Sequence, residues 1–310
     1  MARGRKGKPV HGWLILDKPS GVTSTQAVGK VKRLFDAAKA GHAGTLDPLA
    51  TGVLPIALCE ATKTVSHVME GAKSYAFAVR WGVETDTDDS EGCAVKTSPA
   101  RPDLEQITAI LGNFTGSIMQ VPPTYSAIKV EGARAYDLAR EGEDFELAPR
   151  PAHIGRLEVA SHQDGEQTVF EADCAKGTYV RALARDMGRT LGCYGHVIEL
   201  RRKRVGPFRD SHTISLAKLQ EIGHSAAGRE GLLALLMPVE TALDDIPALA
   251  ISGSDAARLK RGQAVLLRGR DAPILKGPAY AMSRGTLVAI CEAEQGELKP
   301  VRVFNLNGRA

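Results

Sequence analysis

The segment most suited to chemistry is Gly41-His42-Ala43-Gly44-Thr45-Leu46-Asp47-Pro48-Leu49-Ala50-Thr51-Gly52-Val53-Leu54-Pro55, which sets one carboxylate among glycines, prolines and uncharged residues. Its breaks predict an irregular loop. Asp47 is there either a turn or capping residue, since Asp-Pro favours turns, or a carboxylate displayed from a rigid loop. Other chemistries lack their residues. No GxxxxGK[ST], no GxGxxG after a strand, no HExxH and no GxSxG occurs, which removes nucleotide-binding, zinc-protease and serine-hydrolase readings. The eight histidines have no metal-like spacing, and Cys59, Cys93, Cys174, Cys193 and Cys291 form no CxxC pair. Reduced thiols in a cytoplasm fit this usage better than a disulfide framework or a zinc site.

The elements that must position Asp47 emerge from periodicity. Trp13–Leu16 is a short apolar run ending in the turn-like Asp17-Lys18-Pro19-Ser20-Gly21. Ser24 or Thr25 caps a helix in which Ala27, Val28, Val31, Leu34 and Phe35 recur at helical spacing. Tyr75, Phe77, Val79 and Trp81 alternate with their neighbours as a strand does; a strand tyrosine is ordinarily a core or cross-strand residue. The acidic run from Glu84 to Glu91 is expected to be a mobile loop. Leu104, Ile107, Ile110 and Leu111 mark a further helix, and Val169–Cys174 a strand. Val180, Leu183, Ala184, Met187 and Leu191 line one helix face before strand-like His196–Arg201. Strands and helices intermix without regular βαβ units, so the fold class is α+β around a mixed sheet. Residues 243–249 read as a linker, and the chain beyond them as a small β-rich module.

The 310 residues are 43% hydrophobic and 25% charged, an ordinary globular balance with no stretch long enough to span a membrane. The net charge of +4 is mild, but the charge is segregated. Arg3, Arg5, Lys6 and Lys8 form a basic arm, Arg201–Arg204 are contiguous, and Arg258, Lys260, Arg261, Arg268 and Arg270 crowd a third region. Three basic clusters suit a polyanion partner, although each one alone is also an ordinary solvated surface.

GHAGTLDPLATGVLP resembles the signature loop of the bacterial TruB-type tRNA pseudouridine synthases, and further matching pieces occur in the family's order. They are Asp17–Ser24, Lys73-Ser74-Tyr75, Gln120-Val121-Pro122-Pro123-Thr124-Tyr125-Ser126-Ala127-Ile128-Lys129, Cys174–Arg181 and His196–Arg201. The resemblance implies a pseudouridine synthase fold with a mixed, largely antiparallel sheet flanked by helices. It divides the chain into an arm (1–10), a catalytic domain (11–243) and a PUA-like RNA-binding domain (244–310). It implies isomerisation of the uridine at position 55 in the tRNA T-loop to pseudouridine, together with some capacity to assist tRNA folding.

In that reading Asp47, Tyr75 and Arg181 are catalytic, with Arg181 a bidentate partner that offsets the desolvation penalty on the carboxylate. Tyr179 and Leu200 form walls, and His42 stacks into the space left by the flipped base. Lys18 either contacts the RNA backbone or supports the Asp47 loop. Arg201, Arg202, Arg258, Lys260 and Arg261 are candidate backbone contacts. No cofactor, metal, guide RNA or membrane is expected, and the protein should act in the cytoplasm as a monomer on the T-loop, T-stem and acceptor end of tRNA. Two rivals remain: a non-catalytic tRNA-folding factor, and a glycoside hydrolase using Asp173 as the second carboxylic acid.

Overall fold

The computed structural model describes residues 7–126, 128–130, 132–143, 145–163, 165–267 and 275–306. Arg3, Arg5 and Lys6 of the basic arm, Ala127, Arg268 and Arg270 lie outside them. The elements begin with β1 (Gly12–Lys18), α1 (Ser24–Leu34), β2 (Ala40–His42), β3 (Thr51–Leu58), α2 (Val65–Glu70) and β4 (Lys73–Trp81). Next are β5 (Val83–Thr85), β6 (Ala94–Thr97), α3 (Leu104–Ile110), β7 (Gly116–Gln120), β8 (Lys129–Val130), β9 (Ala133–Arg134) and α4 (Ala135–Glu141). Then come β10 (Arg150–Gln163), β11 (Gln167–Cys174), α5 (Val180–Thr190), β12 (Gly195–Val205), β13 (Phe208–Arg209), β14 (Ile214–Ser215), α6 (Leu216–His224) and α7 (Gly228–Ala234). The chain closes with β15 (Ala248–Ala250), α8 (Gly253–Lys260), β16 (Val265–Leu266), β17 (Gly277–Ser283), β18 (Thr286–Glu294) and β19 (Glu297–Val303).

The main sheet runs β14-β1-β3-β12-β4-β11-β10-β7, with β2 added to β3 and β13 to β12. Only β1–β14 and β3–β12 pair in parallel, so the sheet is mixed and largely antiparallel, as expected. Alternation in β4 buries Phe77, Val79 and Trp81, and Phe77 stacks on Phe170 of β11 at 5.3 Å. Each such side chain contributes about 2–3 kcal/mol by leaving water. Val180, Leu183, Ala184 and Met187 of α5 complete the same core.

Three expectations need correction. Thr23, not Ser24 or Thr25, caps α1: its hydroxyl accepts from Gln26 N, and the Gln26 side chain returns the bond to the Thr23 amide. The segment 41–55 is irregular only between β2 and β3. Glycine hides the strand at Gly52, whose φ of 94° and close approach to the Arg202 carbonyl exclude a Cβ. Pro55 hides it too, yet sits where β2 ends, with its carbonyl accepting from Ala43 N at 2.9 Å. Finally, the acidic run is not a solvated loop. Glu84, Thr85, Asp88 and Asp89 are all buried.

A second, five-stranded sheet runs β15-β17-β18-β19-β16. One face packs with Leu259 of α8 in a separate core. Leu287, Ile290 and Phe304 join Trp13, Val53 and Phe208 behind the main sheet. Lys63 Nζ donates to Val303 O at 2.7 Å, and Asn305 N donates to Glu60 at 2.8 Å across the same boundary.

Candidate active site

Asp47 projects from a loop whose neighbouring residues are each held by another element. Ser24 Oγ donates to Leu46 O at 3.0 Å and accepts from Leu46 N at 2.8 Å. Arg202, 1% exposed, donates to Gly44 O (3.0 Å), Thr45 O (3.2 Å) and Val53 O (2.9 Å). Lys18, fully buried, donates to Pro48 O at 3.1 Å and to Val22 O and Pro19 O. Of the two roles open to Lys18, the structure shows loop support. Burial draws its pKa down to about 8, opposed by the Asp47 charge.

The carboxylate of Asp47 lies 2.9 Å from Arg181 Nε, with 38% of the aspartate side chain exposed and 7% of the arginine. The expected bidentate fork is absent. Arg181 Nη1 donates to Thr87 O at 2.9 Å and sits 3.3 Å from Asp89, and Nη2 donates to Tyr125 O at 3.0 Å. The guanidinium therefore joins the Asp47 loop, the acidic run and the Gln120–Lys129 segment at one point.

Two more arginines repeat this contact at one-turn intervals along α5. Arg185 pairs with Asp88 at 3.0 Å and donates to Val121 O at 2.7 Å. Arg189 grips both oxygens of Glu84 at 2.7 and 2.8 Å. Burial pushes the Asp88 carboxyl up to about 6, with Arg185 opposing it. Below them Gln120 brackets Tyr179, accepting from its N–H at 2.9 Å and donating to its carbonyl at 3.0 Å. The sequence reading missed Glu84, Asp88, Asp89, Arg185, Arg189 and Gln120; the i, i+4, i+8 arginine spacing against an acidic run was the signal available.

Asp47, Tyr75, Tyr179, Arg181 and Leu200 line one cavity of about 820 Å³, a size ordinary for a small-molecule or nucleotide site. Burial raises the Tyr75 hydroxyl pKa, with the nearby Arg202 guanidinium opposing, so the phenol stays neutral. Lys73, also on the cavity wall, donates to Met69 O and Gly71 O at 2.6 and 2.7 Å, and burial lowers its pKa to about 8.

His42 lies at the end of β2 and is not among the cavity-lining residues. Its Nδ1 is buried without a partner, and burial and Arg202 both lower its pKa, which leaves a neutral ring. Arg202 is not an exposed phosphate contact; alternation along β12 turns it inward, behind the Asp47 loop. Arg201 faces the other way, where Asp17 at 3.0 Å and Asp210 at 2.6 Å already match its charge. Arg258, Lys260 and Arg261 are exposed and have no ion pair among the described residues. Asp173, the glycosidase candidate, accepts from Ser74 and from Arg156 at 2.9 Å. Burial alone would raise its pKa, but these bonds lower it on balance, the wrong direction for a general acid.

Residues 32–180 match the model of the TruB family pseudouridylate synthase N-terminal domain, and 181–244 that of the tRNA pseudouridylate synthase B C-terminal domain. The chain is 63% identical to tRNA pseudouridine synthase B of Nitrobacter winogradskyi, covering 98% of this chain and 85% of that protein. It is 51% identical to the same-named protein of Brucella ovis, over 97% of each. Among solved structures it is similar to a Cbf5-Nop10-Gar1 complex, with TM-score 0.74 and 28% identity over 96% of this chain and 84% of that one. An H/ACA RNP bound to a substrate RNA containing 2′-deoxyuridine aligns with TM-score 0.72 and 25% identity, over 98% and 92%.

Proposed function

The chain belongs to the TruB family of pseudouridylate synthases, and on that footing we propose that it isomerises the uridine at position 55 in the T-loop of tRNA. The observation that carries this reading is a half-exposed Asp47 carboxylate, 2.9 Å from Arg181 Nε, beside Tyr75 in a cavity of nucleotide size. The N1–C1′ bond breaks, the uracil turns, and C5 bonds to C1′; N1 gains a proton and C5 loses one. Nothing is oxidised or reduced, so the stoichiometry calls for no cofactor.

Asp47 supplies the carboxylate, whether at C1′, at uracil C6 or in removing the C2′ proton. Arg181, 2.9 Å away, aims it. Tyr75 offers a neutral ring to the uracil, with Tyr179 and Leu200 as further walls. The target base must leave its stack, at a cost of a few kcal/mol, and the neutral His42 ring, five residues before Asp47, is suited to fill the vacated space. Arg258, Lys260 and Arg261, free of carboxylate partners among the described residues, suit phosphate contacts from a PUA-like module, towards the acceptor end. The protein acts as a cytoplasmic monomer without guide RNA, and its hold on tRNA leaves room for a folding role alongside catalysis.

The test is incubation with unmodified tRNA transcript in buffer free of metal beyond what folds the RNA, then mapping of pseudouridine. Pseudouridine at position 55 is expected. Modification only elsewhere, or free uracil as the product, overturns the assignment.

A further inference from the structure

The segment Gln120–Ser126 packs against the N-terminal half of α5, and three of its residues hydrogen-bond to that helix or to Tyr179 at its start. Gln120 brackets the Tyr179 backbone, Val121 O accepts from Arg185, and Tyr125 O accepts from Arg181. Ser126 adds no such bond from its side chain. Its backbone carbonyl accepts from Tyr136 N at 3.1 Å, which fixes the residue, but its side chain holds nothing. The residue is 4% exposed, and Oγ is buried without a hydrogen-bond partner. Three other buried side-chain atoms share that condition among the described residues: Trp13 Nε1, His42 Nδ1 and Arg204 Nε. Of the four residues, only Ser126 lines the Asp47 cavity.

A buried hydroxyl without a partner costs stability, about 1–3 kcal/mol. Its neighbour Tyr125 is 3.0 Å from Arg181, which is in turn 2.9 Å from Asp47, so the hydroxyl stands within one nucleotide's reach of the carboxylate. We propose that the Ser126 hydroxyl is a substrate contact, hydrogen-bonding a polar atom of the flipped uridine. It is left unpartnered in the free protein because its partner arrives with the RNA. The inference rests on the function proposed above. A hydroxyl both donates and accepts, so it can serve either a carbonyl or an N–H of the uracil edge. Its contribution is therefore to hold the base in the cavity, not to choose between bases.

This reading makes stability and activity move in opposite directions in Ser126→Ala. Removing an unpartnered hydroxyl relieves the free protein, while removing a substrate contact slows the reaction. The experiment measures the thermal midpoint of the RNA-free protein and kcat/KM for pseudouridine formation on a tRNA transcript, for wild type and Ser126→Ala. The expected result is a midpoint equal to or above wild type and kcat/KM lower by about tenfold, the worth of one well-made hydrogen bond. A wild-type kcat/KM overturns the proposal. So does a lowered midpoint, which would show the hydroxyl already engaged within the fold. Failure of the wild-type protein itself to make pseudouridine would instead strike the underlying function.

Discussion

Arg181→Lys keeps a positive charge on α5 and removes the planar, three-nitrogen head that spreads its donors over several partners. In the structure three guanidinium nitrogens serve four acceptors: Asp47 at 2.9 Å, Thr87 O at 2.9 Å, Asp89 at 3.3 Å and Tyr125 O at 3.0 Å. An ammonium has its three N–H donors on one nitrogen and cannot face Thr87 and Tyr125 while also reaching Asp47. At least one buried carbonyl loses its partner, which destabilises the fold by about 1–3 kcal/mol. Asp47 loses the contact that aims it. Misplacing a reacting group by about 1 Å costs about 10²-fold, or ~2.7 kcal/mol of barrier. Affinity for RNA depends mainly on phosphates and stays within about tenfold. Single-turnover pseudouridine formation on a tRNA transcript reads the loss of aim, and urea unfolding the loss of stability. A variant within about threefold of the wild-type rate, with an unchanged urea midpoint, would show that the four-way contact is dispensable.

Asp47→Asn and Asp47→Ala should abolish turnover yet bind tRNA within about tenfold of wild type, ~1.4 kcal/mol; residual turnover above about one per cent in Asp47→Ala removes it from the nucleophile role. Lys18 has a folded pKa of about 8 against 10.5 in the unfolded chain. The unfolded state therefore binds more protons between those values, and this lysine's contribution to stability rises with pH across that window. Unfolding free energies from urea titrations at pH 8 and 10.5 should thus shift in favour of wild type over Lys18→Met, by up to about 3 kcal/mol; a gap that stays constant refutes the lowered pKa of Lys18. Replacing Arg258, Lys260 and Arg261 together by alanine should weaken tRNA binding and lower the slope of log affinity against log salt by up to about 3. An unchanged slope means that α8 and its C-terminal turn do not hold phosphate.

Much of the frame was legible because local pattern and tertiary role agreed. Phe77, Val79 and Trp81 alternate as their burial does, and Leu183 and Met187 recur on the face that α5 buries. The misreadings fall where one residue type serves two purposes. A run of acids ordinarily means solvent, and nothing local to Glu84–Glu91 reveals that its cations stand on a helix ninety or more residues later. A contiguous basic run suggests one charged patch, yet a strand sends alternate residues to opposite faces. Arg202 is thereby buried behind the Asp47 loop while Arg201 meets Asp17 and Asp210. In β3, Gly52 and Pro55 mimic a loop because the strand must pass close to Arg202 and end its pairing with β2. The placement of Asp47 opposite Arg181 was reached through family resemblance, since no local pattern joins residues so distant.

The packing of Leu287, Ile290 and Phe304 against Trp13, Val53 and Phe208 bears on how the chain is made. Synthesis delivers β1 first and its rear cover last, an interval of roughly 15–60 s at ribosomal speed. Throughout that time the sheet can pair its strands but cannot close its back. The polypeptide thus emerges with an apolar face awaiting its final strands, and its first residues finish folding with its last. A product cut short before Leu287 would leave Trp13 and Phe208 open to water. Chaperone capture or aggregation, not a half-active enzyme, is the fate such a surface prescribes.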